Sequence, residues 1–344
     1  MVRIAVALLL IAGFALLVIV AGTSEKDPAP AAPLTLVRAD DCRECHPQVY
    51  EEWKNSWHAM AWLDPFVREK QMADNFKKKD CIPCHAPRPI FERGLGPGQR
   101  VVERASFRED GVDCISCHKL PEGGFASAHE GVKGPCDPVP HPGIRSVALC
   151  TPCHNQHNTV DEWSEAPEDL RGENCNECHM PRVKRTTGRA RMGRTHTFPG
   201  GHDITLLKNA VSLSHELLRG EAGRMLKAVV KNDKTAHNFP TDSRHRAVDL
   251  IITFYREGGM PYPSAGEKRP VGQEPGTHRV RFRNPYRSET GMEDTQIRAG
   301  QEGVIEAPVP EGAAEAQIQL IYKLRPFMLD RDGIELINIK VDLQ

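Results

Sequence analysis

Ten of the eleven cysteines stand in five identical frames, each of the form C-x-x-C-H. They are Cys42, Cys45 and His46; Cys81, Cys84 and His85; Cys114, Cys117 and His118; Cys150, Cys153 and His154; and Cys175, Cys178 and His179. The two thiols are spaced to bond the two vinyl groups of a porphyrin, and the next residue turns its imidazole onto the iron. This is the attachment signature of c-type haem. A disulfide framework would not require a His after every second Cys, and zinc knuckles would need two pairs per metal. The frames therefore point to five haem c groups, with the ten cysteines as attachment points and the five histidines as proximal ligands.

Ten further histidines remain: His58, His129, His141, His157, His196, His202, His215, His237, His245 and His278. That is enough for a second imidazole on every iron. Two imidazoles close an iron to substrates and favour electron transfer, whereas a missing distal ligand would leave a haem open to chemistry. His58 lies in a helix-like stretch with Trp53 and Trp57 four residues apart. His129 follows the third frame in a Gly-flanked loop, and His157 stands three residues beyond His154. His196 and His202 share the stretch from Arg194 to His202, with His196 preferred, and His237 lies in Ala-His-Asn-Phe-Pro-Thr. These six are the expected distal ligands. His141, in Pro-His-Pro-Gly, reads better as a surface turn, and His215, His245 and His278 as solvent or core residues. Met60 is a weaker axial candidate than its neighbour His58. Cys136 stands outside the frames and reads as a small buried hydrophobe, with dimerisation or an axial thiolate as alternatives.

The elements that must position these residues are short. First cysteines are separated by 39, 33, 36 and 25 residues, so no segment can build its own apolar core. The chain of 344 residues allows one large domain or two smaller ones. Its 39% hydrophobic and 26% charged residues exclude disorder throughout and a polytopic membrane protein. A formal charge of -1 gives no footprint for nucleic acid. Aromatics are only 6%, which fits a core completed by cofactor.

Residues 1–22 have a basic start at Arg3 and an apolar run from Ile4 to Ala21, which reads equally as a signal peptide or an N-terminal membrane anchor. Residues 23–33, with Pro28, Pro30 and Pro33, read as an extended linker. Both place the folded body in the periplasm or at the cell surface. Residues 34–219 are expected to form a pentahaem domain of short helices and loops, with a helical stripe from Ile204 to Leu217. Residues 220–344 read as an all-β, sandwich-like domain. Its strands are expected at Met225 to Val230, Ala247 to Tyr255, His278 to Phe282, Ala316 to Tyr322 and Ile337 to Leu343. His237 would fall between the first two of them.

The stretch from Asp41 to Pro47, followed by Trp53 and by Ser56 to Ala61, resembles the cytochrome c-554 group of multihaem cytochromes. So does Gly111 to His118 with His129 downstream, the likeness covering roughly residues 38 to 205. The segment from Ala236 to Thr241 resembles the sheet module that follows the haems in many pentahaem relatives. The resemblance implies an axial role for His58 and a role among electron shuttles of nitrogen and sulfur metabolism. It departs from the type cytochrome in having five frames rather than four and an added β domain. The frame C-x-x-C-K of pentahaem nitrite reductases is absent from the sequence.

The leading expectation is electron transfer through five haems, more as a carrier than as an enzyme. The alternative is an oxidoreductase acting on a small nitrogen or sulfur compound at one five-coordinate haem. Expected partners are redox proteins, either other cytochromes or a quinone-linked membrane complex, and a homo-oligomer stays open. Ten propionates against five ferric centres would lower the charge of the loaded protein by roughly five, favouring a basic patch on the partner.

Overall fold

Each attachment frame folds as one helical turn or its hydrogen-bonded equivalent in the computed structural model, which describes residues 35–73, 81–96, 98–172, 174–186, 191–221, 223–241, 244–263 and 276–344. The amide of the frame's His donates to the carbonyl of its first Cys, at 2.9 Å for His46, 3.1 Å for His85, and 3.0 Å for His154 and His179. The third frame is the helix Cys114–His118. One turn sets residues i, i+3 and i+4 on one face, so both thiols and the imidazole address the same space. The export or anchor segment, residues 1–22, and the linker, residues 23–33, lie outside the described residues. Among those described, no helix is long and apolar enough to cross a membrane.

Between the frames the chain runs in short helices and loops with little apolar core of its own. Buried apolar residues form small separate groups: Ala39, Tyr50, Trp53 and Ala59; Trp62, Ile82 and Ala86; and Phe91, Leu120 and Ala126. What fixes this region is polar and local. Asp113 caps the third frame by accepting from the Ser116 amide at 2.8 Å, and Arg104 pairs with Asp113 at 2.8 Å in a buried site. Gly111 has φ +62°, and a Cβ there would lie 2.3 Å from the His58 carbonyl, so only glycine fits. Through that close approach Val112 donates to the His58 carbonyl at 2.8 Å and accepts from the Trp53 indole at 2.7 Å. The two stretches that carry the family resemblance therefore pack on each other.

Among the described residues the C-terminal module holds seven strands: β1 Ser212–Gly220, β2 Gly223–Lys231, β3 Ala247–Arg256, β4 Thr277–Phe282, β5 Glu302–Pro308, β6 Ala313–Lys323 and β7 Ile334–Asp342. They form two antiparallel sheets, one in the order β7-β6-β3-β4 and one in the order β1-β2-β5. Leu226, Ala228 and Val230 of β2 share one buried core with Val248, Leu250, Ile252 and Phe254 of β3 and Ile318 and Leu320 of β6. That shared core makes the module a sandwich.

The sequence reading of this module needs one correction. Only Ile204–Lys208 of the expected helical stripe is helical, and Ser212–Gly220 is a strand. Leu213 and Leu217, four apart, share one side of a helix and also one face of a strand, so periodicity alone misleads. The register from Ser212↔Lys231 to Gly220↔Gly223 decides for the strand. His237 lies between the two strands expected to flank it, Gly223–Lys231 and Ala247–Arg256, which β1 makes the second and third of the module.

Candidate metal centres

Three pairs of histidines from distant parts of the chain face one another. His118 and His196 have ring centres 6.3 Å apart with 26° between planes, and His179 and His237 lie 6.3 Å apart at 20°. His58 and His154 are 6.2 Å apart at 46°. An imidazole nitrogen binds a metal at about 2.0 Å and lies roughly 1.1 Å from its ring centre, so two imidazoles on one iron sit about 6.2 Å apart. Each pair joins the His of an attachment frame to one of the expected distal ligands. The residues fit the group the frames imply.

The unbonded nitrogens agree. The Nδ1 atom of His118 lies 2.9 Å from the Ala126 carbonyl, that of His179 2.6 Å from the Pro199 carbonyl, and that of His85 2.7 Å from the Ala61 carbonyl. His196 and His237 do the same toward the carbonyls of Arg194 and Asn238, at 3.2 Å and 3.0 Å. A backbone carbonyl accepts only, so Nδ1 carries the proton and Nε2 keeps its lone pair for a metal. Burial pushes His58 down to about 3, helped by the neighbouring imidazoles of His154, His179, His196 and His85. It likewise pushes His196 down to about 4. At neutral pH both are therefore neutral, the form that binds metal.

Two carboxylates hold the distal histidines, and neither was legible as a site residue. Glu52, on the helix Pro47–Lys54, accepts from the His196 amide at 2.9 Å and grips Arg185 through two bonds of 2.6 and 2.8 Å. Glu162, on the helix Thr159–Glu165, accepts from the Asn238 amide at 3.1 Å and from the Thr241 hydroxyl. From the sandwich side, fully buried Asn232 donates to the His237 carbonyl at 2.8 Å and the Ile297 carbonyl at 2.9 Å. Phe198, with φ 46°, places its ring 4.2 Å from that of His58 and 5.7 Å from that of His196. The only sequence signal for these supports was their position, one helix or one turn from a candidate ligand.

The other expected ligands are placed less uniformly. Burial first, and the charge of Arg191 after it, lower both His46 and His129. His157 closes the 3-10 turn Asn155–His157 directly after the fourth frame. His202 is turned elsewhere: its ring stacks on Trp57 at 3.6 Å and its Nε2 faces the Arg246 guanidinium at 3.1 Å. A nitrogen aimed at a guanidinium is not aimed at a metal, so this placement departs from the expected ligand role. His141 accepts the Gly143 amide at 3.0 Å through Nδ1, as a turn residue does. Cys136 is half-buried near Cys42 and Cys45, and burial raises its thiol.

The frames also meet each other. Cys42 lies beside Cys114, Cys84 beside Cys153, and Cys150 beside Cys175. These contacts link the first frame to the third, the second to the fourth and the fourth to the fifth. The field of Cys117 on Cys150 and Cys153 joins the third to the fourth.

Residues 41–119 match a family model described as cytochrome c554 and c-prime. The chain is similar in structure to a penta-heme cytochrome c552 from Thermochromatium tepidum, with a TM-score of 0.66 and 18% sequence identity, covering 89% of this chain and 99% of that one. Such coverage extends past the frames into the sandwich. No curated protein matches the chain. In fold, the chain is similar to a penta-heme cytochrome, with a C-terminal β domain, and residues 41–119 match the cytochrome c554 pattern.

Proposed function

We propose that the protein transfers single electrons through five covalent haem c groups, outside the cytoplasm. The observation that carries this reading is the set of three imidazole pairs at 6.2 to 6.3 Å, each containing one frame histidine. Bound haem supplies an iron that cycles between ferric and ferrous states. The chain's own residues do the rest. Cys42, Cys45, Cys81, Cys84, Cys114, Cys117, Cys150, Cys153, Cys175 and Cys178 hold the macrocycles, and His46, His85, His118, His154 and His179 bind the irons from one side.

His154 is completed by His58, His118 by His196 and His179 by His237, and His129 is the candidate opposite His46. Glu52 and Glu162 fix the backbone at His196 and His237 and would hold these imidazoles in place beside a bound haem. The nearness of attachment cysteines from different frames supports short jumps among all five. Export through residues 1–22 and redox proteins as partners complete the reading.

Full-length haem-loaded protein tests it. Oxidised absorption and electron paramagnetic resonance spectra should be dominated by low-spin haem and unchanged by nitrite, hydroxylamine or cyanide. A large high-spin signal that these ligands perturb would replace transfer with catalysis at an open haem.

A further inference from the structure

From Met180 to His202 the sequence contains no Asp or Glu, while Arg182, Lys184, Arg185, Arg191 and Arg194 fall within it. The structure sorts these cations. Arg185 turns inward, 8% exposed, onto Glu52, and Arg194 donates to the carbonyls of Asn176 and Met180 at 2.9 and 3.2 Å. Arg182, Lys184 and Arg191 stay exposed, and among the described residues none of the three is paired with a carboxylate. Arg182–Lys184 pairs with Met192–Arg194 as a two-stranded ladder in which Lys184 faces Met192. Met192 is 52% exposed, so one face of the ladder presents an apolar residue beside free cations.

This ladder sits at the first attachment frame. Thr186 and Gln48 exchange two hydrogen bonds, of 2.6 and 3.2 Å, and Gln48 lies two residues after His46. The first frame is thus bordered by the basic ladder, although the loaded protein as a whole is acidic.

We propose that the ladder of Arg182–Lys184 and Met192–Arg194, with Arg191 at its edge, is the docking surface for an acidic one-electron carrier protein that exchanges electrons with the haem of Cys42, Cys45 and His46. The proposal rests on the electron-transfer reading. Charge complementarity selects the partner: unpaired cations around an exposed methionine attract a carboxylate-rich surface and let it settle on an apolar centre. One electron leaves the partner and reduces one ferric iron to ferrous. No bond forms or breaks and no proton moves.

The test mixes full-length haem-loaded protein with an acidic flavodoxin in its hydroquinone state, and separately with reduced methyl viologen, a small cation. In the double variant Arg182→Glu with Lys184→Glu, reduction by flavodoxin should slow about tenfold at low ionic strength, and the difference should close near about 0.5 M salt. Binding of oxidised flavodoxin, followed by nuclear magnetic resonance line broadening, should weaken in parallel. Reduction by methyl viologen should stay equal or quicken. Unchanged flavodoxin kinetics and binding would overturn the docking surface. So would equal slowing with both reductants, or a shifted midpoint potential with an unchanged salt dependence, which would assign the cations to haem propionates. Failure of methyl viologen to reduce any haem would instead overturn the electron-transfer reading itself.

Discussion

The residues from Ser212 onward bury Leu226, Val230, Leu250, Ile252, Phe254, Ile318 and Leu320 completely or nearly so, in one continuous core. The residues from Leu36 to about Asp203 bury only scattered groups of a few apolar side chains. Each large aliphatic buried in the sandwich contributes about 1.5–3 kcal/mol, and the frame-bearing region has far fewer of them to offset its chain entropy. One region is held by protein atoms alone. The other is arranged around the five frames. On the proposed reading the contrast teaches what haem would do structurally: it would complete the core of this region and make haem loading part of its folding. His237 and its buttresses join the two regimes, because a ligand rooted in the sandwich reaches a frame in the other region.

The largest test of this contrast is to withhold haem. In full-length chain expressed without haem attachment, amides of Leu250, Ile252, Ile318 and Leu320 should keep hydrogen-exchange protection of about a thousandfold or more. Amides around the frames should exchange nearly unprotected. Uniform protection across the chain would break the comparison.

Cutting the sandwich core is the next largest effect. Leu250→Ala should cost about 2–5 kcal/mol in the unfolding of the C-terminal module. The spectra of haems other than the one bound to His179 should persist while the module melts. Simultaneous loss of every haem spectrum would mean that the two regions stand or fall together.

A smaller effect is expected at the supports. Glu52→Gln removes the charge that grips Arg185 and weakens the acceptor of the His196 amide, costing about 1–3 kcal/mol. Potentiometry and electron paramagnetic resonance should show one altered haem, that of His118, with the others unmoved. Four or five altered haems would deny Glu52 its local role.

The smallest test concerns acid. Asp249, fully buried in β3, bears the cost of burial but is held below the ordinary carboxylate range by hydrogen bonds and charges from Arg281 and Lys323. Asp330 is lowered chiefly by its hydrogen bond to Arg279. A carboxylate lowered in the folded state stabilises above its unfolded pKa and loses that contribution as pH falls through the folded value. Sandwich stability should therefore be flat above about pH 4 and decline below it. Asp249→Asn should flatten the decline, as denaturant titrations at several pH values would read.

The five frames and their one-turn geometry were legible because C-x-x-C-H needs only one helical turn, and local spacing survives any tertiary arrangement. Most strands of the sandwich were legible for a similar reason, as Ala316 to Tyr322 alternate cleanly. Strand β1 was not, since Leu213 and Leu217 satisfy two periodicities and only pairing with β2 chooses between them. The pairing of distal to proximal histidines was illegible, because His118 and His196, or His179 and His237, meet through contacts far apart in the chain. His202 misled because its neighbour Trp57 and the cation Arg246 come from other segments. Glu52 and Glu162 look like ordinary helix-surface acids until the strands and turns they hold are in place.

The central claim is that His58 with His154, His118 with His196, and His179 with His237 each close one iron. Near-infrared magnetic circular dichroism on the oxidised, full-length, haem-loaded protein counts bis-imidazole haems per chain directly. The expected result is at least three, falling by one in His196→Met, where a single haem takes a methionine-type signature. Fewer than three in the unaltered protein, or no change in the variant, would contradict the account.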